Sequence, residues 1–325
     1  MVKSLEIRPS SASFHMASKL QTPQDSENKH VRRGTMERTS YPFGEGSVKL
    51  VSTAWLEDHI DEPNLQKLDC QPNVHDYIQE HIPGAVYMNE NLLRVTKEKD
   101  PTRYIPKDAA KSIFGRVGLK PDVPVVVYTG TGPFKGWGDG LEQTMVAYSL
   151  ARFGHRNVLV LDGGIDKWKK ERRSLTQEFP RVESSRFSVT VQRDLFVDYD
   201  EFREIKDKDD TVVLDARPPE IYRGKGPWPK PGHIPGARNL PWKSLMGRNP
   251  RLLKPLDEIN HMLRETGVTR DKTIVCTCGT GREATNEFVL LKWYLDYPKV
   301  KLYEGSFTEW TSHPENPTVT GKKPR

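Results

Sequence analysis

The chain has 325 residues, 35% hydrophobic and 29% charged, with 50 Lys and Arg against 44 Asp and Glu for a formal charge of +6. That length is more than twice the ~150-residue prior for one domain, so two are expected, and the hydrophobic share excludes a wholly disordered chain. No apolar run reaches the ~18 residues of a transmembrane helix, and the basic residues are scattered rather than gathered into the stripe of a nucleic-acid binder. Neither a membrane nor a nucleic acid is expected as partner.

Residues 1–46 carry Ser, Thr, Pro and mixed charge without hydrophobic periodicity, and read as a disordered tail. It lacks the apolar core, about 7–15 residues long, of a secretory signal. Arg8, Arg32, Arg33 and Arg38 suit a mitochondrial transit peptide, whereas Glu6, Asp25, Glu27 and Glu37 do not. The three cysteines (Cys70, Cys276, Cys278) are too few for a disulfide framework and point to a reducing compartment. The expected location is therefore cytoplasmic, with the mitochondrion as alternative. Cys276 and Cys278, two apart, match neither a CxxC redox motif nor a zinc-ligand spacing.

From residue 47 the chain is written twice. Leu68-Asp69 is answered by Leu214-Asp215, and His81-Ile82-Pro83-Gly84-Ala85 recurs letter for letter as His233-Ile234-Pro235-Gly236-Ala237. Gly118-Leu119 returns as Gly267-Val268, and the β-branched run Val123 to Tyr128 as Thr273 to Cys276. Each copy closes on a Gly-x-x-x-x-Trp unit, Gly163 to Trp168 and Gly305 to Trp310. Ordered landmarks of this kind indicate a duplicated domain. The expected division is a first domain over 47–171, a linker over 172–188, a second domain over 189–317 and a tail over 318–325.

Short apolar runs alternate with helical spacing in each copy. In the second, Thr211 to Asp215 and Thr273 to Thr277 read as buried strands, with a helix from Leu256 to Glu265 stopped by Gly267. A helix over Glu283 to Leu295 and a strand over Val300 to Tyr303 follow. Strands joined by helical crossovers argue an α/β fold, each domain a parallel sheet covered by helices on both faces.

Cys278-Gly279-Thr280-Gly281-Arg282-Glu283 falls where a strand ends and a helix begins, the place where open α/β sheets bind ligands. Two glycines allow backbone N–H groups to form an anion-binding nest, and the helix start and Arg282 add positive charge. A thiol there is expected to have a pKa lowered from ~8.5 toward the reactive range and to act as a nucleophile. Cys70 and Cys276 read as small buried hydrophobes. In the first copy Thr129 stands in place of the cysteine, so that domain is expected to be inactive and to wall the cleft. Gly130 to Lys135 lacks the GxxxxGK[ST] spacing of a phosphate loop.

These residues resemble the tandem-domain rhodanese sulfurtransferases, which include thiosulfate and 3-mercaptopyruvate sulfurtransferases. The resemblance spans about residues 47 to 317, through the doubled Asp…His-Ile-Pro-Gly-Ala signature, the Cys278 loop and the closing Gly-Ser-Phe-Thr-Glu-Trp. It implies that Cys278 accepts a sulfane sulfur as a persulfide and passes it to cyanide or a thiol such as glutathione or thioredoxin, without metal or organic cofactor. Gly279, Thr280, Gly281 and Glu283 would line the persulfide, and Arg217, Arg223 and Arg282 would bind the anionic small-molecule donor. Cys-Gly-Thr-Gly looks like the mercaptopyruvate branch, where the Thr280 hydroxyl would assist proton movement. Arg282 departs from it, and Asn89-Glu90-Asn91 stands where that branch carries the acidic residues of a proton relay. Charge matching therefore favours thiosulfate as donor, with 3-mercaptopyruvate as the alternative. A phosphatase of related fold would need arginine at position 284, which is alanine; a non-catalytic sulfur-relay module is the remaining reading.

Overall fold

The computed structural model describes residues 40–97, 100–133, 138–248 and 252–325. Of the N-terminal tail only residues 40–46 lie within these ranges, and of the glycine-rich stretch Gly130 to Gly140, Phe134 and Lys135 lie outside them. The first domain contains β1 (Val48–Val51), α1 (Thr53–Asp58), β2 (Gln66–Asp69), α2 (Val74–Gln79), β3 (Val86–Tyr87), the antiparallel ribbon β4 (Arg94–Lys97) and β5 (Asp100–Tyr104), α3 (Lys107–Arg116), β6 (Val125–Tyr128), α4 (Leu141–Arg152), β7 (Val158–Leu161) and α5 (Gly164–Lys170). The second contains β8 (Phe196–Val197), α6 (Tyr199–Ile205), β9 (Thr211–Asp215), β10 (Arg238–Asn239), α7 (Leu256–Glu265), β11 (Thr273–Thr277), α8 (Ala284–Val289), β12 (Val300–Tyr303) and α9 (Ser306–Ser312).

Each domain has a five-stranded parallel sheet, ordered β1-β7-β6-β2-β3 in the first and β8-β12-β11-β9-β10 in the second. The orders coincide strand for strand, so the repeat read in the sequence is a repeat of topology. The central strands β6 and β7 are buried along their whole length, as a sheet covered on both faces requires. The helix expected over Glu283 to Leu295 runs from Ala284 and widens into a π turn over Leu290–Tyr294. There the Trp293 ring packs edge-on against Phe288, while its carbonyl accepts from the Glu45 amide at 2.7 Å. None of the helices among the described residues is long and apolar enough to cross a membrane.

The domains share one hydrophobic core, which runs from Val146 and Tyr148 on α4 to Ala284 and Phe288 on α8. Every residue from Leu141 to Ala151 is buried, because α4 lies between its own sheet and the second domain. Polar links tie the same seam. Thr144 and Thr285 meet hydroxyl to hydroxyl at 3.1 Å, and Glu304 accepts from Tyr148 (2.7 Å) and twice from Arg152 (2.6 and 3.0 Å).

The duplicated histidines are structural. His81 is buried, stacks on Tyr77 and shares hydrogen bonds with the carbonyls of Tyr77 and Glu178. His233 does the same with the Tyr222 ring and the carbonyls of Tyr222 and Lys323. Each histidine also pairs backbone to backbone with a strap that follows its domain: Thr176 in the linker and Val319 near the C-terminus. The C-terminal tail is thus pinned, with the Gly236 amide bonded to the Pro324 carbonyl and Arg325 to Asp207. Removing residues 318–325 should lower stability by about 2–4 kcal/mol, since several backbone bonds are lost and the buried His233 loses its acceptor. Urea unfolding of the truncated chain checks this; an unchanged midpoint would show that the strap carries no load.

Candidate active site

The loop that follows β11 is shaped by its neighbours on β12 and α9. Cys278 donates its amide to the Ser306 hydroxyl (3.1 Å), the Phe307 amide bonds the Cys278 carbonyl (3.0 Å), and the amide and hydroxyl of Thr308 both bond the Gly279 carbonyl. The closing Gly-Ser-Phe-Thr-Glu-Trp unit is therefore the clamp that holds the base of the loop. So fixed, the chain curls back over its own sulfur. The Gly281 amide lies 3.0 Å from Cys278 Sγ, and the amides of Thr280 and Ala284 also bond to it.

Both glycines are required by what presses on the loop. A Cβ on Gly279 would lie 2.6 Å from the Trp228 ring, and one on Gly281 would lie 2.6 Å from the Glu304 carbonyl and 2.8 Å from Arg94 Nη2. Gly281 also has φ +80°, the left-handed region that glycine adopts without strain. Trp228 itself is fixed by Nε1 donating to the Thr308 hydroxyl at 2.8 Å and by an edge contact with Phe307.

Cys278 is fully buried, and its electrostatics correct the expected lowered thiol pKa. Burial, reinforced by the adjacent Glu283 carboxylate, pushes the Cys278 thiol up to about 12 against the pull of the amides. Burial raises the Glu283 carboxyl as well, against the downward pull of the Gly279 amide and the Cys278 thiol. A carboxylate in that position opposes an anionic sulfur, and its charge raises the Cys278 thiol. Cys70 and Cys276 are also buried and free, with thiols raised by burial. The converging amides are what set Cys278 apart.

The three arginines part company. Arg217 is 1% exposed and grips Asp215 through Nε and Nη2, with Nη2 also on the Gly232 carbonyl at 3.0 Å. Its guanidinium lies 4.1 Å from the Phe307 ring centroid, beneath Trp228, and its Nη1 has no hydrogen-bond partner. Arg223 is exposed on the turn Ile221–Lys225, and none of its described contacts reaches the loop. Arg282 turns to the first domain, where it binds Glu90 (2.6 Å), Asp139 (2.6 and 3.0 Å) and Glu142 (3.3 Å). Its charge is spent on three carboxylates, so it does not supply the free positive charge on which the choice of thiosulfate rested. Burial raises the Glu90 carboxyl against the pull of Arg282, and burial and Asp139 bring Glu142 up to about 7. Glu90 belongs to the segment that was read as departing from a proton relay. Asp139, Glu142 and Trp228 had no motif to mark them.

The first domain shows what the duplicate has lost. At its strand end Thr129 replaces the cysteine and donates to Glu142 at 3.1 Å. Gln71 takes the place of Arg217, bonding both Asp69 oxygens. Among the described residues no group of three His, Cys, Asp or Glu side chains is placed to hold a metal.

Residues 52–171 and 198–313 each match the family model described as a rhodanese-like domain. The chain is 36% identical over 277 residues to the putative thiosulfate sulfurtransferase of Synechococcus elongatus, covering 82% of this chain and 84% of that protein. It is 31% identical over 291 residues to the sulfur carrier protein TtuD of Thermus thermophilus, covering 84% and 97%. Among solved structures, the 3-mercaptopyruvate sulfotransferase SseA of Escherichia coli superposes with a TM-score of 0.70 at 27% identity, over 79% of this chain and 98% of that one.

Asp69 carries a pH prediction. With glutamine in place of a cation, burial holds its carboxyl up at about 7, whereas unfolded aspartate titrates near ~3.9. Between those values the folded chain keeps a proton that the unfolded chain has lost, so stability is greatest below the window and falls as pH rises through it. Asp69→Asn should reduce the fall between about pH 5 and about pH 8 by on the order of 1–3 kcal/mol. Urea unfolding at the two pH values measures it, and equal falls in both proteins would refute the assignment.

Proposed function

Given that the chain belongs to the tandem-domain rhodanese family of sulfurtransferases, we propose that it moves the sulfane sulfur of thiosulfate to cyanide or a thiol through a persulfide on Cys278. The observation that carries this reading is the convergence of the Gly281, Thr280 and Ala284 amides on one buried sulfur at a strand end. In the first half-reaction the Cys278 proton passes to the Glu283 carboxylate. The thiolate forms a bond to the outer sulfur of thiosulfate, the S–S bond of the donor breaks, and sulfite leaves with its electron pair. The amides then take the negative charge of the persulfide, and Glu283, now neutral, no longer repels it. In the second half the acceptor attacks the terminal sulfur and Cys278 leaves as the thiolate, which recovers the proton from Glu283.

Glu283 also favours the second reading, 3-mercaptopyruvate as donor. Its carbon leaving group must be protonated, and a carboxyl that has just taken the thiol proton stands ready to supply one. The donors are separated by parallel kcat/KM measurements, with thiosulfate expected ahead; the opposite ranking would move the assignment to the other branch. Thiosulfate should add about 32 Da to Cys278, one sulfur atom, and Cys278→Ser should abolish both adduct and turnover. Glu283→Gln should slow sulfur uptake about a hundredfold near neutral pH, in the range of a lost general base. It should recover part of that rate at alkaline pH, because the thiol ionises more easily without the neighbouring carboxylate. Unchanged uptake in Glu283→Gln would remove the residue from the mechanism.

A further inference from the structure

A pocket of about 320 Å³ opens beside the catalytic loop, lined by Thr280 and Arg282 of the loop and by Glu90, Arg94 and Met145 of the first domain. Arg94 begins β4, the ribbon strand that follows the first His-Ile-Pro-Gly-Ala. Its guanidinium rests against the loop backbone, where it would be the first thing struck by a Cβ on Gly281 after the Glu304 carbonyl. Nε and Nη2 of Arg94 are buried without a hydrogen-bond partner. Its ring neighbour is Tyr104, 5.2 Å away, a ring that Arg152 also approaches, at 4.2 Å. Arg152 is satisfied by Glu304; Arg94 is not.

The other cations at the loop are engaged by carboxylates, Arg217 keeping only a buried Nη1 that does not line this pocket. Arg217 is locked on Asp215 beneath Trp228, and Arg282 on Glu90, Asp139 and Glu142. Of the lining groups, Glu90 gives Oε1 to Arg282, while its Oε2 is buried without a hydrogen-bond partner. Among the buried side-chain donors of the lining, those left unspent belong to Arg94, whose planar guanidinium fork suits an oxyanion.

We infer that this pocket receives the oxyanion end of the sulfur donor and that Arg94, supplied by the domain without a nucleophile, is its anchoring group. The inference rests on the sulfurtransferase reading above and adds the residue and the domain that bind the donor. A sulfonate-type end from thiosulfate and a carboxylate from 3-mercaptopyruvate present the same chemistry to Arg94.

The test is calorimetric titration of the full-length Cys278→Ser protein, which binds without turning over, with thiosulfate and separately with 3-mercaptopyruvate. Arg94→Gln in that background should weaken binding of the true donor about tenfold or more, and Arg94→Lys should recover part of it. In the catalytically intact chain Arg94→Gln should raise KM for the donor by a similar factor and leave kcat within about threefold, a split that a general loosening of the fold would not give. Should Arg94→Gln fail to fold, Arg94→Lys carries the test, since loss of the planar fork alone should raise KM severalfold. Binding unaltered by either substitution, or no saturable binding of either donor, overturns the inference. Failure of the wild-type chain to form a persulfide, with Arg94-dependent binding intact, would overturn the transfer chemistry and leave the anion site standing.

Discussion

The Gly281 amide lies 3.0 Å from the Cys278 sulfur, and the geometry that brings it there propagates outward through the whole site. To point an amide back at a side chain three residues earlier, the backbone must enter the left-handed region at Gly281 and start from a fixed base. Ser306, Phe307 and Thr308 supply that base from the next strand end, which ties the loop to the β11–β12 pairing of the sheet. The curl leaves no room for side chains at either glycine, so the flanking walls, Trp228 on one and Arg94 with the Glu304 carbonyl on the other, can press close. A longer loop able to wrap a phosphate would need its arginine at the position that Ala284 fills with a buried methyl group.

Burial then creates the energetic problem that the rest of the site answers. A thiol in a dry environment resists ionisation, and the amides alone do not offset that cost. Glu283 stands in the same turn, at the start of α8, and in the proposed cycle it would take the thiol proton while the backbone amides stabilise the charged sulfur.

Periodicity and repetition made the architecture legible. Buried strands such as Thr211 to Asp215 and Thr273 to Thr277 are too apolar and too short for anything else, and the paired landmarks fixed two copies of one topology. The nucleophile was legible because cysteine followed by two glycines at a strand end has few structural explanations. Side-chain direction was not. Arg282 sits within the loop, and sequence proximity counted it as a ligand group, but its long side chain reaches across the interface to carboxylates that neutralise it. Burial of Cys278 was equally hidden, since the walls of its loop come from distant segments, such as Trp228 against Gly279. The two straps leave no residue signature because their partners are backbone carbonyls, and His81 and His233, read only as landmarks of the repeat, serve as their pins.

The duplicate that lacks a nucleophile keeps a defined place in the chemistry because charge has been redistributed between the copies. In the second domain Asp215 has Arg217 as its internal partner, and among the described residues the loop arginine forms its ion pairs with carboxylates of the first domain. In the first domain the equivalent cation is absent, with Gln71 beside Asp69, and Glu90, Asp139 and Glu142 accumulate at the seam. Each half therefore presents what the other lacks. An acidic cluster of that density would be costly if left unpaired in a buried interface, and Arg282 is the group that satisfies it. The pairing fixes the register of the domains at the point where the loop must be rigid, and it does so without adding charge beside the sulfur. The first sheet, with Thr129 at the strand end where the second has Cys278, thus contributes the surface that holds the loop.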